Sequence, residues 1–266
     1  MHTLRFVLPY LVHLYVKSRM EYRGAYLLGI VAQFVAYASA YAGIWILLNR
    51  FETLGGWTWP QLALLLSFQL LAYSFGAAFS FTQFRDLQEM VRLGTFDTIL
   101  VKPIGPWTYL AFSGLNVGYA GHITLGIGLM AWALSQAGID WSLGKVLFGI
   151  AVLVSASLVT AGLITMIGAS ALIVVRSKYL FSIFFGFWEL TRYPLSIFPA
   201  GLQVLLYTIV PMGFMAYVPV ARVLGKDVPL LGPWADLLAL AAGPIVTLIA
   251  MAHWRYCIRH YQGGGG

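Results

Sequence analysis

The sequence is poor in the residues most chemistry requires. It has a single cysteine, Cys257, and five histidines in 266 residues. One cysteine excludes an internal disulfide, and no Cys/His group has the spacing of a metal site. Neither His-Glu-x-x-His nor His-x-x-Glu-His occurs. Acidic residues number nine and are scattered, so no paired carboxylates suggest general acid–base work. The phosphate-binding loop G-x-x-x-x-G-K-[ST] is missing; the pair Gly144–Lys145 is followed by valine and the pair Gly225–Lys226 by aspartate. Charged residues make up 9% of the chain against ~25% in soluble domains. With 60% hydrophobic residues and a mean hydropathy of +0.82, the chain has too much apolar surface to hide from water. This excludes an ordinary soluble enzyme, a disordered chain and a nucleic-acid binder. The bilayer must be the solvent.

What is present is a series of long uncharged runs. A spanning helix needs about 20 mostly apolar residues. Six runs qualify as spans: 24–49, 60–82, 107–134, 146–175, 179–199 and 235–254. Two apolar stretches are too short or too broken. Phe6–Val16, interrupted by Pro9 and followed by Lys17 and Arg19, lacks a small-residue cleavage site. Residues 1–23 therefore read as a helix in the headgroup plane leading into the first span. Residues 202–231 are cut by Pro211, Pro219 and Pro229. They read as one or two short helices dipping into the outer leaflet, since non-helical backbone at membrane depth needs a cover of protein or water. The expected fold is all-α, with six transmembrane helices.

With the N-terminus inside, eleven of the sixteen basic residues fall on the cytoplasmic side and five outside. That is the usual bias, and it explains the net charge of +7 without nucleic acid. Both termini are then cytoplasmic. Trp57, Trp59, Trp107, Trp141, Trp234, Trp254 and Tyr256 near span ends read as an interfacial belt. Glycines 114, 118, 121, 126 and 128 read as a close-packing face of the third span. Asp236 reads as a cap for the sixth span, His122 as a hydrogen-bonded packing residue, Cys257 as packing near a helix end, and Gly263–Gly266 as a flexible tail.

The cytoplasmic segment 84–106 carries the clearest motif. Arg85–Leu93 has helical spacing, with Leu87, Met90, Val91 and Leu93 apolar and Glu89 and Arg92 placed to pair. Gly94 is a helix stop. Such a helix either docks in a groove of a soluble partner or is a solvated connector. Glu189 and Arg192 are the unusual charges, since both fall inside the fifth apolar run, where a charge costs at least ~2.5–3.5 kcal/mol. They read as a polar point on a substrate path or at a contact with a second subunit, or else as a structural pair, or with Arg192 reaching the outer headgroups. Trp188 and Phe185 beside them read as lipid-facing or packing residues.

The run Glu89-Met-Val-Arg-Leu-Gly94-Thr-Phe-Asp-Thr-Ile-Leu100-Val-Lys-Pro103 resembles the E…G…LL…P loop of ABC transporter permeases of the type-2 exporter class. Tyr193-Pro-Leu-Ser-Ile-Phe-Pro199, Leu202-Gln and Ile209-Val-Pro211 resemble the end of the fifth helix and the re-entrant element of that class. The order of elements matches along nearly the whole chain, and most closely the short permeases that work in pairs. The resemblance implies an elbow helix at the N-terminus and a coupling helix formed by Arg85, Asp86, Leu87, Glu89, Met90, Arg92, Leu93 and Gly94. It implies two copies of a separate ABC ATPase, which bind ATP and Mg, and no cofactor in this chain. It also implies a second permease, a paralogue or an identical copy, in the cell membrane among its lipids. Nothing in the resemblance assigns a role to Glu189 or Arg192. A reading from another class is an ion-coupled carrier or channel, which would need ionisable residues in several spans. A lipid-acting membrane enzyme would need clustered acids and bases.

Overall fold

The computed structural model describes residues 23–113, 116–174 and 177–263. The elbow expected over residues 1–23 lies outside them, apart from Arg23. All the regular elements described are helices. Four are long and apolar enough to cross a membrane. They are α1 (Arg23–Phe51), α2 (Trp59–Ala78), α7 (Leu143–Ala169, extended by one turn to Leu172) and α11 (Ala235–Arg259). They coincide with the expected first, second, fourth and sixth spans.

The other two expected spans are not single long helices. The third is divided into α5 (Pro106–Phe112) and α6 (Ala120–Gln136). Asn116 is the local cause: its side-chain oxygen accepts from the Gly118 N–H at 2.9 Å, and its own N–H bonds Ala78 O at the end of α2 at 2.8 Å. Such a side-chain turn competes with the helical ladder. The fifth run holds α8 (Lys178–Leu190) and then a separate turn at Leu195–Ile197. Pro194 and Pro199, which have no N–H to continue a ladder, follow the helix. At 1.5 Å per residue α6 spans ~25 Å and α8 ~20 Å, both short of the ~30 Å hydrocarbon layer.

The centre of the bundle is α2. Residues Leu62 to Ala72 are buried without a break, so the helix is covered all round. Pro60 occupies its first turn, and Gln61 accepts the Thr58 N–H at 3.3 Å. By contrast α1 shows Leu27, Leu28, Val31, Phe34 and Val35 to the outside. Of the small residues in the third run, Gly121 faces Ile30 of α1, Gly126 faces Leu71 of α2, and Gly128 faces open space. The expected packing face is thus shared between two neighbours.

The most extensive helix pair is α7 with α11. Gly243 makes it possible: a side chain there would collide with the Ser155 backbone. The Ser155 hydroxyl enters the α11 ladder, donating to Ala239 O at 2.7 Å and accepting the Gly243 N–H at 2.9 Å. It bonds both partners of the rung between Ala239 and Gly243, just before Pro244 removes the next one.

Between α8 and α11 the chain makes α9 (Ala200–Tyr207), a turn at Met212–Met215 and α10 (Tyr217–Val223). Met212 to Ala221 is buried without interruption, so protein covers this broken backbone as the sequence requires. Pro219 falls in the first turn of α10, where its missing N–H costs nothing.

Two sequence expectations are corrected. Asp236 does not cap α11; it forks onto Arg222, with NH2 to Oδ2 at 3.1 Å. A carboxylate beside a planar guanidinium makes two bonds there where a cap would make one. Lys226 in the same segment donates to Gly56 O at 3.0 Å and lies over the Trp57 ring. Trp57 is therefore buried, against Tyr217, and Trp254 is buried against Phe84. Neither belongs to an interfacial belt, whereas Trp141 and Trp234 are exposed as expected.

Candidate functional site

The helix read over Arg85–Leu93 is α3 (Phe81–Arg92), one turn longer at its start. It is amphipathic. Phe84 and Leu87 are fully buried, and Met90 and Val91 pack against the core. Phe84 sits in a notch made by Gly168 of α7; a β-carbon at Gly168 would come within 2.8 Å of Phe84 O. The Trp254 ring of α11 closes the notch edge-on, with centroids 5.7 Å apart. The helix stops where expected: Leu93 N–H bonds Glu89 O, and Gly94 takes the left-handed conformation at φ +69°.

The outer face of α3 is charged. Arg92 Nε donates to Glu89 at 3.0 Å, with a second bond from its terminal nitrogen, and Arg85 Nε pairs with Asp86 at 3.1 Å. The bond from Arg92 holds the Glu89 carboxyl below its ordinary pKa. The pair therefore persists into mild acid and is lost only as pH falls through that lowered value. Beside it Leu93 and Val101 stand 59% and 84% exposed. The C-terminal segment braces this region, since Tyr261 donates to Asp97 at 3.0 Å and meets Phe96 edge-on.

Glu189 and Arg192 do pair, at 2.7 Å, at the end of α8. Arg192 is largely buried, 18% exposed, and its guanidinium lies 5.0 Å from the Trp188 ring centre; Glu189 is 53% exposed. Trp188 is buried and faces the protein. It touches Tyr37 of α1 and Tyr73 of α2, and both touch His122 of α6. Tyr73 and Tyr119 share a hydrogen bond at 3.2 Å. Phe185 and Phe81 continue the contacts, and Arg85 of α3 stacks on Phe81. A column of rings thus runs from Arg192 to Arg85, joining the two charged features that were separate in the sequence.

Sequence reading missed the tyrosines and Gln69. The signal was polar groups in mid-run. Gln69, fully buried on α2, donates to Trp188 O at 2.8 Å and to Thr191 Oγ1 at 2.7 Å. It holds the end of α8 against the bundle. Gln69→Leu leaves both acceptors without that donor and is expected to cost about 1–3 kcal/mol. The checks are a lowered thermal midpoint in detergent and faster cleavage of the segment after α8 by an added protease.

No group of three His, Cys, Asp or Glu side chains that could hold a metal occurs among the described residues. Ser170, His253 and Cys257 do meet, with His253 Nε2 at 3.2 Å from the serine and 3.4 Å from the thiol, but the Ser170 hydroxyl donates to Met166 O. Cys257 is buried, as a packing residue should be.

The family model described as ABC-2 family transporter protein matches residues 34–265. No curated protein and no solved structure matches the chain.

Proposed function

The chain belongs to the ABC-2 transporter family, and from that premise we propose that it is the permease subunit of an ATP-driven exporter, forming half of the translocation path. In this reading the chain crosses the cell membrane six times. The divided segment α5–α6 and α8 with the short helices after it complete the set begun by α1, α2, α7 and α11. Both termini are cytoplasmic. Two copies of a separate ATPase hold ATP and Mg, and a second permease, identical or a paralogue, faces this one.

The observation that carries the reading is α3: an amphipathic helix between the second and third crossings, with a charged outer face and a deeply inserted aromatic root. Asp86, Glu89, Arg92 and Leu93 meet the ATPase, while Leu87 and Met90 bind α3 to its own bundle. ATP favours the closed ATPase pair, and that differential affinity is the energy source. Closure displaces α3. Phe84, held between Gly168 and Trp254, passes the displacement to α7 and α11, which move as one body. Glu189 and Arg192, with opposite charges at one end of α8, lie on the path or at the contact between permeases.

Co-purification tests the proposal. The tagged chain is expected to bring down an ATPase bearing a phosphate-binding loop, and reconstituted vesicles are expected to move cargo only with ATP. Transport by the chain alone under an ion gradient would replace this reading with an ion-coupled carrier.

A further inference from the structure

A cavity of about 320 Å³ lies between α1, α2, α3 and α6, lined by Gln33, Tyr37, Tyr73, Arg85, Asn116 and His122 among others. Its lining is mostly polar, unlike three other large cavities of the bundle, which are walled mainly by apolar side chains. Polar groups at membrane depth are costly and need an occupant. Arg85 can only donate, and the hydroxyls and amides beside it can donate as well as accept. Tyr73 and Tyr119 share one bond between two hydroxyls, which leaves one proton to give. Thr82 and Asn116 add a hydroxyl and an amide at the rim. Gln33 has a buried amide end with no partner, and a flip turns that end into a donor.

Among the described residues no carboxylate lines the cavity, and Arg85 is its one charged residue. Asp86 takes Arg85 Nε, and Phe81 supports the guanidinium plane, so the terminal nitrogens are left for a ligand. Gln33 lies on α1 beside Val31, Phe34 and Val35, which face outward where lipid tails would be.

We propose that this cavity binds the anionic headgroup of an amphiphile, entering from the cytoplasmic leaflet with its tail left in the bilayer. Arg85 is the charge anchor, Gln33 and the tyrosine hydroxyls donate, and the rings of Tyr37, Tyr73 and Phe81 form the walls. That the bound amphiphile is cargo rests on the permease reading; the binding itself does not.

The test uses the purified chain in nanodiscs of zwitterionic lipid, with binding read by thermal shift and by Trp fluorescence. Dodecyl phosphate is expected to bind saturably and raise the midpoint. Dodecyl maltoside and dodecyltrimethylammonium are expected to do so at least tenfold more weakly. Inorganic phosphate is expected to compete, but weakly, because it shares only the headgroup chemistry. Arg85→Gln is expected to weaken dodecyl phosphate roughly tenfold, about the share of one charge-assisted contact, with Arg85→Lys restoring part of it. Tyr119→Phe weakens it severalfold, and Lys226→Gln on the outer side does not change it. Equal binding of the cationic amphiphile, no binding of the phosphate, or an unaffected Arg85→Gln overturns the proposal. Inorganic phosphate binding as tightly as dodecyl phosphate overturns the amphiphile and leaves a free-anion site. Binding that persists while the complex shows no ATP-driven transport refutes the permease reading and leaves this one standing.

Discussion

Met90→Pro is expected to leave the partner ATPase hydrolysing ATP while transport falls to background. Met90 is in the third turn of α3, two residues before its end. Proline there removes an N–H from the ladder and clashes with the Asp86 carbonyl, at a cost of ~3 kcal/mol in a helix interior. The helix end depends on the same place, because Met90 O accepts the Phe96 N–H at 3.2 Å and the Thr95 hydroxyl at 3.3 Å. The bundle below does not depend on it. Phe84 and Leu87, which anchor α3, precede the break, so insertion and folding are retained. The measurement is paired: ATP turnover and cargo movement in the same vesicles, with Glu89→Lys as a milder variant that keeps the helix and reverses one charge. If Met90→Pro transports at the normal rate per ATP, α3 is a connector and no motor acts through it.

The second large effect is expected at Ser155 and Gly243. Ser155→Ala removes the hydroxyl that donates to Ala239 O and accepts the Gly243 N–H. In a membrane interior no water replaces it. The expected cost is about 1–3 kcal/mol for the buried groups left unpaired. Gly243→Leu is more severe, because the new side chain meets Ser155 backbone, which cannot turn aside. That variant is expected to yield no folded protein, and Ser155→Ala a folded one with a clearly lowered unfolding midpoint. Equal midpoints for wild type and Ser155→Ala would mean that α11 closes its own rung and the hydroxyl is incidental.

Much of this arrangement was legible in the sequence, and the parts that were not share a cause. The uncharged runs located α1, α2, α7 and α11 because length and hydropathy are properties of one segment at a time. The spacing of Leu87, Glu89, Arg92 and Gly94 located α3 for the same reason, although Phe81–Phe84 was left out of the helix. The third run was read as a single helix because Asn116 acts through individual hydrogen bonds that hydropathy does not register, and the fifth because its hydropathy hides the stop that Pro194 and Pro199 impose after α8. Asp236 was read locally as a cap because its partner, Arg222, lies fourteen residues earlier on another helix. Tyr37, Tyr73, Tyr119 and Gln69 drew no notice for a related reason. Each is ordinary in its own run, and only folding places them around His122 and Trp188.

The contacts made by Lys226 and Arg222 have one further consequence. One short stretch fastens both the hairpin between α1 and α2 and the head of α11, so these ends of the three helices are riveted into a single plate. A plate fixed at two points moves as a unit, and any rearrangement of α11 must carry the α1–α2 hairpin with it.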